Sequence, residues 1–349
     1  MILRIFGTSV VISVAALVAA YLYGGTTALL LTLILGVLEV SLSFDNAVIN
    51  ATVLRRMSHF WQQMFLTVGI VVAVFGMRLA FPLAVVWITA GLNPVDALDL
   101  ALNPPTDGSA TYESIILAAH PQIASFGGMF LLMLFLGFIF QDKELTWLTW
   151  IEEPLKRVGR LKEVSVAVAL TALVITAVFI APDDETSTVM LAGSLGMVTY
   201  IVVSGLGDLF HVDEEGESDG PSALVQLTGK AAFFLFIYLE VLDASFSFDG
   251  VIGAFAITAD PIIIALGLGL IGALFVRSLT IFMVRQGTLS EYVYLEHGAH
   301  WAIGALSVIL LYSIGTPVPE VITGLIGVVF IAAAFVSSLI YRRQESVDA

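Results

Sequence analysis

The feature that most constrains this chain is the recurrence of apolar runs about as long as a bilayer is thick. A helix crossing the hydrocarbon core needs about 20 mostly apolar residues. Ten such runs fall at about 2–23, 26–54, 62–92, 121–141, 163–181, 188–207, 229–256, 261–284, 297–314 and 317–340. The last two are divided only by the turn Gly315-Thr316-Pro317. Backbone N–H and C=O groups must be paired within lipid, so these runs predict α-helices. Charged residues make up 12% of the 349 positions, whereas soluble domains carry about 25%. The expected fold is all-α and polytopic, one membrane domain over 1–349 with about ten spans.

The basic residues orient these spans. Lys and Arg are enriched in cytoplasmic loops. With the N-terminus inside, Arg4, Arg55, Arg56, Lys143, Lys156, Arg157, Arg160, Lys162, Lys230, Arg285, Arg342 and Arg343 all fall at inner ends or in inner loops. Of the 14 Lys and Arg residues only Arg78 and Arg277 escape, and both lie within predicted helices. The outer loops carry Asp96, Asp99, Asp107, Glu113, Asp183, Asp184, Glu185 and Asp260. The acidic segment 208–221 also falls inside, where acids weigh little in the rule. The expectation is a multi-pass protein of the cytoplasmic membrane with both termini inside and the first helix retained. There is no cysteine, which excludes disulfides and thiolate ligands. No basic patch suits nucleic acid.

A repeat is embedded in the spans. Leu38-Glu39-Val40-Ser41-Leu42-Ser43-Phe44-Asp45-Asn46 lies in the second run, and Leu242-Asp243-Ala244-Ser245-Phe246-Ser247-Phe248-Asp249-Gly250 in the seventh. Arg78 and Arg277 each lie in the following span, and His120 and His297 each precede a glycine by seven residues. Residues 26–141 (spans two to four) therefore correspond to 229–314 (spans seven to nine), joined by 142–228 with spans five and six. The second span runs inward and the seventh outward, so the repeats are inverted. Many secondary transporters are built this way, with the substrate site near the midplane where the repeats meet. The bland alternative is a duplicated scaffold without transport.

The acids carry the functional argument. A charge at the bilayer centre costs about 2.5–3.5 kcal/mol on insertion scales and usually faces a partner, a cavity or an ion. Glu39, Asp45, Glu240, Asp243 and Asp249 fall in or near that zone. Arg78 and Arg277 cannot neutralise all five; they are either fixed counter-ions or groups that change places with a cation. Protons or a divalent cation would supply the balance. Carboxylates, the Asn46 amide and the hydroxyls of Ser41, Ser43, Ser245 and Ser247 are hard oxygen donors suited to Mg²⁺, Ca²⁺ or Mn²⁺. On a regular helix Glu39, Ser43 and Asn46 share one stripe and Asp45 lies about 100° away. The helix therefore unwinds near the Ser-Phe-Asp step, or the acids serve two positions. His120 and His297 are expected at membrane edges, either as proton or outer-ligand groups or as ordinary interfacial histidines. Gly267, Gly269 and Gly272 are expected to permit close helix packing.

At Glu39, Ser41, Ser43, Asp45 and Asn46, with the second copy at Asp243 to Asp249, the sequence resembles the TerC family of integral membrane proteins, over roughly residues 30–315. It is similar above all to a TerC-like subgroup carried as a domain of unknown function. The wider superfamily includes the lysine-exporter type and cation/proton exchangers. The resemblance implies manganese export and places the family's acidic positions on Glu39, Asp45, Asn46, Asp243 and Asp249. Asp243 stands for Glu39, Gly250 for Asn46, and Glu240 is additional, so the two halves differ. The expected function is a transporter exporting Mn²⁺ ahead of Ca²⁺, with protons or Na⁺ as coupling ions, no prosthetic group and no enzyme activity. The alternatives are a Ca²⁺ or cation/proton exchanger, and a non-transporting membrane partner that assists metal delivery or a resistance complex.

Overall fold

The computed structural model describes residues 2–105, 108–143, 145–161, 163–215, 229–255, 257–258, 260–286 and 291–348. Among these residues the secondary structure is helical, without a strand, and all ten predicted runs fall on helices. The protein is an all-α polytopic membrane protein. Ile5–Val40, His59–Ala90, His120–Ile139, Thr186–Gly205, Pro261–Arg285 and Ile322–Gln344 are long and apolar enough to cross a bilayer, with Val164–Ile180 shorter.

The first two spans form one long helix, α1 (Ile2–Leu42), sharply bent at Gly24 and Gly25. Gly25 has φ 66° and ψ −152°, a backbone that suits glycine alone. Beside the bend, the Tyr23 hydroxyl donates to Asp260 at 3.0 Å and ties the first span to the start of the eighth. The second span continues as α2 (Phe44–Leu54) after a break at Ser43, where φ is −94° and ψ 21°. The Ser43 N–H still donates to the Glu39 carbonyl at 2.9 Å, and the Ala47 N–H to the Ser43 carbonyl at 3.1 Å. The motif helix is therefore kinked rather than unwound.

The third span is α3 (His59–Val71), a π-helical stretch Val72–Ala80 and α4 (Phe81–Ala90). Two short helices follow in the loop beyond it, α5 (Pro94–Leu102) and α6 (Tyr112–Ala118). Asn93 caps α5 by accepting from the N–H groups of Val95 and Asp96. The fourth span is α7 (His120–Ile139), followed by the loop helix α8 (Thr149–Val158). Spans five and six are α9 (Val164–Ile175), which ends in the π-helical Thr176–Ile180, and α10 (Thr186–Glu215).

The seventh span, α11 (Gly229–Ala254), runs unbroken through the second motif. The eighth is α12 (Pro261–Ile264), a π-helical Ala265–Gly272 and α13 (Ala273–Gln286). The ninth and tenth are α14 (Leu295–Ser313) and α15 (Glu320–Asp348). A π-helical stretch thus lies in the span after each motif. Arg78 lies within the first, and Arg277 follows the second.

The packing is reciprocal between the two three-helix groups. The second span lies against the eighth, as the seventh lies against the third. The seventh also packs on the fourth, as the ninth packs on the second. Fourth meets ninth and third meets eighth. Lipid tails are as apolar as leucine, so close packing and interhelical polar contacts hold such a bundle together. Its largest core, around Ile49, Leu54, Phe130, Leu239 and Ile303, sits where α2, α7, α11 and α14 converge.

Candidate functional site

Glu39, Glu240 and Asp243 are brought to the seam between the groups. Glu39, near the end of α1, is 4% exposed. The Arg78 Nη2 donates to its Oε1 at 2.5 Å, and the Ser43 hydroxyl reaches the same oxygen at 3.0 Å. The other Arg78 terminal nitrogen, Nη1, donates to the Ala73 carbonyl at 3.1 Å. Gly272, which ends the second π-helical stretch, has no room for a side chain: a Cβ there would overlap the Glu39 Cγ.

The second copy is built differently. Glu240 and Asp243 project from α11 and are each 6% exposed. The Arg277 Nη2 lies 3.8 Å from Glu240 Oε1 and 4.0 Å from Asp243 Oδ2. Its guanidinium donates instead to the backbone carbonyls of Phe65 and Gly69, the latter at 2.5 Å, and lies 4.1 Å over the Phe65 ring. Arg277 therefore clamps the third span to the eighth while staying beside the acids of the seventh. A Cβ at Gly69 would stand 2.5 Å from Glu240 Oε1 and 2.7 Å from Arg277 Nη1, so glycine makes this approach feasible. Among the described side chains the two motifs are joined directly where the Asn46 amide donates to Asp243 Oδ1 at 2.8 Å.

Several acceptors in this cluster have no hydrogen-bond donor. Both carboxylate oxygens of Glu240, Asp243 Oδ2 and Ser247 Oγ are buried and unbonded. Among the described side chains, three carboxylates, Glu39, Glu240 and Asp243, share two guanidinium groups here. Asp45 and Asp249 lie on the described backbone of α2 and α11, but their side chains, like that of Ser41, fall outside the description. Among the described residues no group of three or more His, Asp or Glu side chains is gathered as a ready-made metal site. Ser245 bonds back to the Val241 carbonyl of its own helix at 3.0 Å.

The two histidines are occupied elsewhere. The His120 Nε2 lies 3.3 Å from the Ser313 hydroxyl. The His297 Nδ1 is 3.2 Å from Glu152 Oε1, a residue the sequence did not single out. Glu152 is 1% exposed and also accepts from the Trp301 indole at 3.0 Å and the Trp147 N–H at 3.1 Å. Burial pushes its carboxyl up, but the His297 and Trp301 hydrogen bonds and the nearby Lys143 outweigh this and hold it at about 2. Asn50 is a second residue the sequence reading passed over. It is 1% exposed, its Oδ1 has no donor, and it lies one turn after Asn46. The stripe at 39, 43 and 46 extends to it by one more step of four.

A family model described as a protein of unknown function, DUF475, matches residues 44–345. The chain belongs to the DUF475 family. No curated protein and no solved structure matches it. The DUF475 match begins at Phe44, directly after the Ser43 kink. It takes in Asp45, Asn46, both arginines and the whole second motif, and leaves Glu39 outside.

Proposed function

We propose that this DUF475 protein is a secondary transporter that exports a divalent metal cation, Mn²⁺ ahead of Ca²⁺, through the carboxylate cluster between its three-helix groups. The observation that carries this reading is the set of buried acceptors without donors: both Glu240 oxygens, Asp243 Oδ2 and Ser247 Oγ. A buried carboxylate oxygen without a hydrogen bond is expensive even with Arg277 at 3.8–4.0 Å, and a cation is the group that would offset the cost. The donor set is all oxygen, which favours Mn²⁺, Ca²⁺ or Mg²⁺ over thiophilic ions. The TerC-like motif residues favour manganese within that class.

Arg78 and Arg277 are, in this reading, alternative counter-charges to the cation. Arg277 holds the acids at 3.8–4.0 Å while its strong hydrogen bonds go to backbone, so a cation could take the carboxylates without unfastening it. The two groups meet along glycine-lined contacts at Gly69 and Gly272, surfaces on which one group could rock against the other. Alternating access then exposes the cluster to each side in turn, with protons or Na⁺ exchanged for the metal. The chain sits in the cytoplasmic membrane with both ends inside. Contacts consistent with that topology are Tyr23 with Asp260 on the outer side and Arg342 with Glu291 on the inner. Mn²⁺ efflux from loaded cells should fall to background with Asp45→Asn or Asp249→Asn. Unchanged efflux in both variants would sink the assignment.

A further inference from the structure

A second polar feature lies apart from the carboxylate cluster. A cavity of about 510 Å³ opens between the end of α2, the end of α7, α10 and the starts of α9, α11 and α14. Its walls include Thr52, Arg56, Tyr200, Tyr238, Glu296 and His300. The basic-residue pattern puts all these helix ends on one side, the side of the 142–162 loop. The cavity also approaches the cluster. Ile49 in its wall is three residues after Asn46 on α2, and Tyr238 is five before Asp243 on α11, each about one helical turn.

Two wall residues have ligand character. Glu296 and His300 are four apart on α14, hence on one face. The His300 Nδ1 is 2.8 Å from the Glu296 carbonyl, so it carries the proton and leaves Nε2 as a lone-pair acceptor. The imidazole is stacked on Phe138 with centroids 3.6 Å apart and planes 7° from parallel, while the Lys143 ammonium lies 3.2 Å from the same ring. The ring pair fixes His300 in place. The neighbouring His297 is already committed to Glu152. A fixed imidazole nitrogen and a carboxylate one turn apart are donors for a divalent first-row ion. Two ligands leave most of the ion's shell as water. The cavity has room for on the order of ten waters, and its tyrosine and threonine hydroxyls accept hydrogen bonds from them.

We infer that this cavity is the cytoplasmic vestibule of the transport site, and that Glu296 and His300 are the first ligands a hydrated divalent cation meets there. The ion's onward destination rests on the transport reading; its binding in the cavity does not. The chain has no cysteine, so single-cysteine variants label cleanly. In membrane vesicles of known orientation, Thr52→Cys and Ser204→Cys, both in the cavity wall, should react with a charged, impermeant thiosulfonate only when the reagent is on the cytoplasmic side. In lipid nanodiscs, Mn²⁺ titrations followed by electron paramagnetic resonance should show two classes of bound ion. Glu296→Gln, and His300→Phe, which keeps the stack on Phe138, should each weaken one class at least about fivefold. Asp243→Asn should weaken the other. Absence of cytoplasmic labelling, or wild-type Mn²⁺ binding in both the Glu296 and His300 variants, overturns the inference. Loss of binding in those two with none in Asp243→Asn would uphold the vestibule and count against the carboxylate cluster as the transport site.

Discussion

Protonating Glu152 should unfasten the loop helix α8 from the ninth span. The carboxylate accepts from His297, Trp301 and the N–H groups of Trp147 and Leu148, so charge and geometry both favour its ionised form. Its folded value of about 2 lies below the ordinary 4.5. A depressed carboxyl stabilises the folded loop above pH 4.5, and that contribution is lost as pH falls toward about 2. The displacement corresponds to at most about 3 kcal/mol, or roughly 100-fold in the constant for local opening. Hydrogen exchange at the Trp147 and Leu148 amides, corrected for intrinsic rate, reads this directly. Protection should be flat from about pH 7 to 5 and fall by up to tenfold per pH unit below that. Glu152→Gln should show low, pH-independent protection, because an amide presents two donors to a site that offers only donors. Protection unchanged at about pH 3, or wild-type protection in Glu152→Gln, would refute the reasoning.

Other outcomes follow from the cluster. Gly69→Ala and Gly272→Ala should each destabilise by about 1–3 kcal/mol through overpacking, read as a lower thermal midpoint in detergent. Arg277→Lys should lose one of the two backbone carbonyl bonds and the contact with Phe65, costing about 1.5–3 kcal/mol in the same assay. Arg277→Met should cost about 3–5 kcal/mol, since it strands buried acids. Asn46→Ala leaves Asp243 Oδ1 without its donor; it should destabilise by about 1–3 kcal/mol and weaken Mn²⁺ binding measured by calorimetry.

The helices were legible because the bilayer demands apolar helical runs, and every predicted run lies on one, although among the described residues six helices rather than ten are long and apolar enough to cross a bilayer by themselves. The kink at Ser43 had a cue in serine before Asp45 and Asn46, residue types that often compete with the helix backbone, although here the Ser43 hydroxyl goes to Glu39 and the Asn46 amide to Asp243. The second copy, ending in Gly250, carries no such break. The two motifs were expected to meet, and Asn46 with Asp243 joins them, while Glu39 is held by Arg78 and Ser43. The Glu152 clasp could not be read, because its partner His297 lies 145 residues away and no local pattern marks a tertiary pair. Arg277's main bonds were hidden for a related reason: they go to the carbonyls of Phe65 and Gly69, and backbone acceptors have no sequence signature.

The central claim is that this chain alone moves a divalent cation through the carboxylates at its seam. Purified protein reconstituted into liposomes with a Mn²⁺-quenched dye inside tests it most directly. The account predicts Mn²⁺ flux that wild-type protein supports, that Ca²⁺ competes for, and that Glu39→Gln and Asp243→Asn each abolish while the folded protein is still recovered. Flux equal to that of empty liposomes, or flux that survives both substitutions, would contradict it.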